Sequence, residues 1–179
     1  MSIDQWLGQI TSGVFVVTLA AAAVWDLKFR RIPNLLTVSG LLVALIMRGI
    51  QGASPLIDGV IGAGVAALVS LPLFTLGALG GGDGKLLIAI GGFMGPVRLA
   101  GALLMIALVG GIMGVLDAYR RGVLLPVVLN CLELVKHWAT LGRRGRRVAL
   151  SMPGAVTIPY GVAIAAGAAL WWFWGARIG

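Results

Sequence analysis

Acidic side chains are few in this chain: six among 179 residues, within a charged fraction of only 11%. Soluble domains carry about 25% charged residues. A chain that is 59% hydrophobic, with a mean hydropathy of +1.02, would not stay dissolved in water. The class this leaves is an integral membrane protein. Cysteine is nearly absent too: Cys131 stands alone, which excludes an internal disulfide framework and a four-cysteine zinc site. His137 is likewise the only histidine, so a histidine metal cluster is excluded and no metal or cofactor is expected. The first ten residues contain no Lys or Arg, so the first apolar segment reads as a retained membrane span and not as a signal peptide.

Long apolar stretches are what the chain has in abundance. About 20 apolar residues suffice for a helix to cross a bilayer. Six candidate segments occur: about Leu7 to Trp25, Leu35 to Met47, Gly59 to Leu79, Leu86 to Val97, Leu99 to Leu116 and Ala155 to Trp174. The fourth is the weakest, being interrupted by Gly91, Gly92 and Pro96. The expected fold is all-α: one domain over residues 1–179, with six transmembrane helices.

Charge gives the orientation. With six spans, eleven basic residues fall on one side: Lys28, Arg30, Arg31, Lys85, Arg120, Arg121, Lys136, Arg143, Arg144, Arg146 and Arg147. Three fall on the other: Arg48, Arg98 and Arg177. The positive-inside bias puts the first group in the cytoplasm and both termini outside. The net charge of +8 is thereby explained by topology and by anionic lipid headgroups, with no nucleic-acid partner. Between the fifth and sixth spans, Leu124, Val128, Cys131, Val135 and Trp138 recur at helical spacing, with Glu133, Lys136 and His137 among the polar positions. That pattern predicts an amphipathic helix on the cytoplasmic membrane surface, followed by a basic tether at 143–147. Small-residue pairs such as those in "GVIGAGVAALVS" suit close helix packing within one bundle and are compatible with a homo-oligomer.

The acids are Asp4, Asp26, Asp58, Asp83, Asp117 and Glu133. Asp26 closes the first apolar run and Asp83 follows the third, so both are expected at the cytoplasmic edge, at one depth. An ionisable group beside hydrocarbon is costly and marks a functional candidate. Local pairing, of Asp26 with Lys28 or Arg30 and of Asp83 with Lys85, is the plain alternative. Around Asp83 stand Gly80, Gly81, Gly82 and Gly84. Glycines permit positive φ and close backbone approach, which suits an extended peptide lying alongside. Phosphate-binding loops are excluded: Leu79 and Leu86 occupy the places where a P-loop needs glycine and Ser or Thr, and Lys85 stands where the dinucleotide fingerprint needs glycine. Two carboxyl groups brought together share a proton and can split an amide by general acid–base attack of water, with no metal or covalent intermediate.

The stretches "GGGDGK" (80–85) and "DLKFRRIPNLLT" (26–37), with "IPYGVAIAAGA" (158–168), resemble the type IV prepilin peptidases among the Gly-x-Gly-Asp intramembrane aspartic proteases. Within that family the chain is most similar to the short Tad/CpaA type, which processes Flp pilins. The resemblance implies an endopeptidase of the bacterial inner membrane, working at its cytoplasmic face. Its substrate would be a prepilin with a basic leader and a hydrophobic helix. The catalytic pair carried over is Asp26 and Asp83. Gly80, Gly82, Gly84, Lys85, Pro33 and Asn34 match positions that bind substrate or shape loops. Longer family members carry a cysteine-bearing cytoplasmic insertion associated with N-methylation; its absence here implies peptidase activity without methyltransferase activity. The alternative from another class is a transporter using Asp26 and Asp83 as a proton or cation relay. Transport sites usually lie at the bilayer midplane between inverted repeats, and no such repeat is evident.

Overall fold

The computed structural model describes residues 3–75, 77, 79–125, 127–129 and 160–178. Within them the chain is helical, without strands: α1 (Ile3–Phe29), α2 (Asn34–Gln51), α3 (Ala53–Thr75), α4 (Gly81–Arg120) and α5 (Tyr160–Ile178). In lipid every backbone N–H and C=O must be satisfied inside the chain, and a helix does this within one segment. Among the described residues four helices, α1 to α4, are long and apolar enough to cross a membrane. Their outward faces are apolar: Leu35 is 81% exposed and Val97 85%. Lipid, not water, is the solvent such surfaces suit.

The chain divides into two compact units, residues 1–110 with 159–179, and residues 111–158. In the first, α1 packs on α2 and α5, and α2 packs on α3. Its centre is aromatic and aliphatic. Phe15 of α1 is fully buried, with its ring centroid 5.1 Å from that of Phe93 (α4) and 4.6 Å from that of Trp172 (α5). In the second unit, Gly122 (φ 69°) ends α4, and Arg121 pairs with Asp117 at 2.9 Å. That pair is exposed and contributes about 0–1 kcal/mol. Residues 124, 125 and 127–129 are helical. The rest of the expected surface helix, with Cys131, Glu133 and His137, and the basic run 143–147 lie outside the described residues.

Helix ends depart from the apolar runs in instructive ways. α1 continues one turn past Asp26, so this acid lies inside the helix and not after it. α3 stops at Thr75, short of the expected Leu79, because Gly77 turns left-handed at φ 72°. The fourth and fifth apolar segments run on from one another as α4, whose 40 residues would span about 60 Å as one rod. The rod is broken at Gly95 (φ 74°, ψ 173°), just before Pro96, which has no N–H to donate. Gly91 and Gly92, expected to interrupt the segment, are helical and serve close packing instead.

Arg48 belongs to this break. The apolar pattern places it in an external loop; in the structure it lies in the last turn of α2. Its Nε and Nη2 donate to the carbonyl of Phe93 at 3.2 and 2.8 Å, and its Nη1 donates to that of Pro55 at 2.9 Å. A break in a helix strands the carbonyls that precede it, and a planar guanidinium can serve two acceptors at once. Arg48→Ala is therefore expected to cost about 2 kcal/mol of stability, the scale of charged hydrogen bonds. Arg48→Lys, which lacks the fork, should not restore it. Thermal unfolding in detergent reads both, and a parental melting temperature for Arg48→Ala would remove the guanidinium from this role.

Candidate functional site

The segment joining α1 to α2 is four residues long and turns sharply. The Arg30 N–H donates to the Asp26 carbonyl at 2.8 Å, and Arg30 then adopts φ 50°, a left-handed conformation uncommon outside glycine. Ile32 turns inward and is buried. Pro33 stands at the N-cap of α2 in an extended conformation (φ −64°, ψ 138°), its carbonyl accepting from the Leu36 and Thr37 N–H groups at 3.1 and 3.3 Å. Asn34 opens the helix.

Asp26 lies in the last turns of α1 and is 6% exposed. Its Oδ2 is buried and has no hydrogen-bond partner among the described residues. Buried polar atoms are nearly always satisfied, so an orphaned carboxylate oxygen next to hydrocarbon calls for a functional account. Asp83 has a different setting. It is the third residue of α4, half-buried, and its carboxylate accepts from the backbone of Gly80. This is the geometry in which an acid at the third helical position caps the first turn, and negative charge is favoured there by the helix dipole. Capping explains the position of Asp83 in part; it does not explain Asp26.

Two contacts and one charge–charge interaction join the two stretches. The Asp83 carboxyl lies within electrostatic range of Asp26. Gly82 rests on the α1–α2 connection, where a Cβ would stand 3.1 Å from the Ile32 Cβ and 3.2 Å from the Ile32 carbonyl oxygen. The Lys85 ammonium donates to Asn34 Oδ1 at 2.7 Å. Lys85 thus reaches the other stretch and not its neighbour Asp83, which removes one of the local ion pairs weighed from sequence. The glycines differ from expectation in one respect. Gly81, Gly82 and Gly84 are helical, and positive φ occurs at Gly77 and not among residues 80–84. Their use is close approach: Gly80 leaves room for the Asp83 carboxylate, and Gly82 for the backbone of Ile32. Gly84 is less constrained, since its Cβ would meet Ser70 at an ordinary 3.5 Å.

Residues that the sequence reading did not single out complete the site. Gly161, in the first turn of α5, lies directly against the Asp26 carboxylate, and Tyr160 beside it is within electrostatic range of Asp83. Ile32 sits between Gly82 and Gly161. The signal pointing to α5 is the stretch "IPYGVAIAAGA" (158–168), which carries no charge. An apolar groove runs from Leu68, Leu71 and Phe74 of α3 to Gly81, Gly84 and Lys85 of α4, reaching the turn that bears Asp83. Among the described residues no three Asp, Glu, His or Cys side chains gather as a metal ion requires. Two carboxyl groups in unlike settings, one orphaned and one held by backbone, suit general acid–base work.

A family model described as the type IV leader peptidase family matches residues 13–115, which include both Asp26 and Asp83. Comparison with curated proteins and with solved structures gave no match.

Proposed function

Because the chain belongs to the type IV leader peptidase family, we propose that it is a membrane-embedded aspartic endopeptidase that removes the leader of Flp-type prepilins, with Asp26 and Asp83 as its catalytic pair. The observation that carries this reading is the meeting of the two acidic stretches through Gly82 on Ile32 and Lys85 on Asn34. Segments so far apart in the chain have no local reason to touch. A transporter reading finds no support in a peptidase family.

In the proposed reaction the two carboxyl groups hold one water. The ionised member takes a proton from it as the oxygen attacks the scissile carbonyl carbon, while the protonated member gives its proton to the carbonyl oxygen. The tetrahedral diol then collapses: the C–N bond breaks, the amide nitrogen leaves as an amine with the proton taken from water, and one diol hydroxyl returns its proton to the other carboxyl group as the new carboxylic acid forms, which restores the pair. A hydrophobic substrate helix lying along the groove beside α3 would bring its scissile bond to the turn that bears Asp83. Holding the bond there replaces a bimolecular encounter with a local one.

We count α4 as two passes parting at Gly95, and α5 as the last, which gives six spans with the acids at the cytoplasmic face of the inner membrane. Anionic headgroups would contact the basic loops. The test is cleavage of a purified Flp-type prepilin in lipid or detergent, read by mass. The expected product lacks the leader and gains no methyl group when S-adenosylmethionine is supplied. Intact substrate under conditions where the protein remains folded would overturn the assignment, and a methylated product would overturn its restriction to cleavage.

A further inference from the structure

Glycine at position 161 is unusual on local grounds. It sits in the first turn of α5 without a positive φ, where alanine is the better helix former. Nothing in the backbone conformation asks for glycine there. The surroundings do. A Cβ at 161 would stand 2.8 Å from Asp26 Oδ2, 2.9 Å from Asp26 Cγ and 2.9 Å from Ile32 Cδ1. The empty volume is the place where the carboxylate lies.

We propose that Gly161 is a positioning residue for Asp26, its missing side chain being the space that sets where the Asp26 carboxylate points. This rests on the reading of Asp26 as one of the catalytic pair. Three features make the carboxylate the part that yields to a side chain here. Its Oδ2 has no hydrogen bond among the described residues to resist rotation. Ile32 is buried and has Gly82 against its Cβ on another side, which limits its retreat. The α5 helix itself is anchored further along, where Gly167 packs on the backbone of Ile106 and Trp171 lies on Gly101. A methyl at 161 therefore turns the Asp26 carboxylate out of its place against α5, while the groove beside α3 that would hold the substrate helix is untouched.

The experiment joins a kinetic and a thermodynamic measurement. Gly161→Ala is expected to lower kcat for prepilin cleavage about 10²-fold, the scale of a misplacement near 1 Å, with KM little changed. Adding Ile32→Val, which removes the Cδ1 facing the new methyl, should restore part of kcat. Separately, melting temperatures are compared for the parent, Gly161→Ala, Asp26→Ala and the double variant. The contact predicts that Gly161→Ala lowers the melting temperature more in the parent than where Asp26 is already alanine, because two of the three atoms it strikes are then gone and only Ile32 Cδ1 remains. If Gly161→Ala alone does not fold, its combinations with Ile32→Val and with Asp26→Ala carry the same comparisons. Equal shifts in both backgrounds, or parental kcat in Gly161→Ala, overturn the proposal. A coupled melting cycle in a protein that cleaves no prepilin keeps the contact and overturns the catalytic role, which separates failure of this inference from failure of the proposed function.

Discussion

Asp26→Asn and Asp83→Asn are each expected to lower prepilin cleavage by about 10²–10⁴-fold or more while leaving the protein folded. General acid–base groups contribute on this scale. Asparagine keeps the volume and planarity of aspartate but cannot trade a proton at the same site. Because the two carboxyl groups would act as one unit, the double variant should be little worse than either single one. The measurement also separates catalysis from capping. If Asp83 served only to cap α4 through Gly80, its replacement would cost about 1 kcal/mol of stability and leave turnover intact. Asp26 has no such structural account, since its Oδ2 meets no hydrogen-bond partner among the described residues. Leader removal at the parental rate by either variant would take that residue out of the mechanism.

Gly62→Ala is expected to disrupt the helix packing, at a cost of about 3 kcal/mol, near the upper end of ordinary overpacking penalties. Gly62 of α3 and Gly91 of α4 are in direct backbone contact: a Cβ on either would run into the other's carbonyl oxygen. At Gly62 it would also lie 2.7 Å from the Gly95 Cα, at the break in α4. These are backbone atoms, so no rotamer change relieves the clash. Close glycine crossings of this kind provide much of the packing within a bilayer, where no hydrophobic force draws helices together. Gly13 supplies the control. It faces open space, so Gly13→Ala should be neutral or slightly stabilising. Equal melting temperatures for the two variants would show that the crossing carries no such weight.

Some of this was readable in the residues. Scarcity of charge and long apolar runs identify a membrane protein because transfer into lipid is a sum over individual side chains. Asp26 and Asp83 stood out by the same logic, as acids at the edge of hydrocarbon in a chain that has only six. The glycines around Asp83 were seen to permit close approach, but the sequence could not say whether as an extended loop or as a helix. The first turn of α4 took the helix, because Asp83 caps it through the Gly80 backbone and Gly82 seats on Ile32. The break in α4 was sensed from Gly91, Gly92 and Pro96 but lies at Gly95, since the other two glycines are spent on packing against α3 and α2.

What the amino-acid order determines alone, then, is the solvent this protein lives in, the helical class and the two acids worth suspecting, because hydropathy and local spacing are properties of short stretches. What only the folded bundle decided is who meets whom. Lys85 could have paired with Asp83 and reaches Asn34 instead, Arg48 looked like a loop charge and holds the Phe93 carbonyl, and an uncharged glycine on the last helix makes the room for Asp26. Such contacts depend on the crossing of helices distant in the chain, and no periodicity within one helix encodes them.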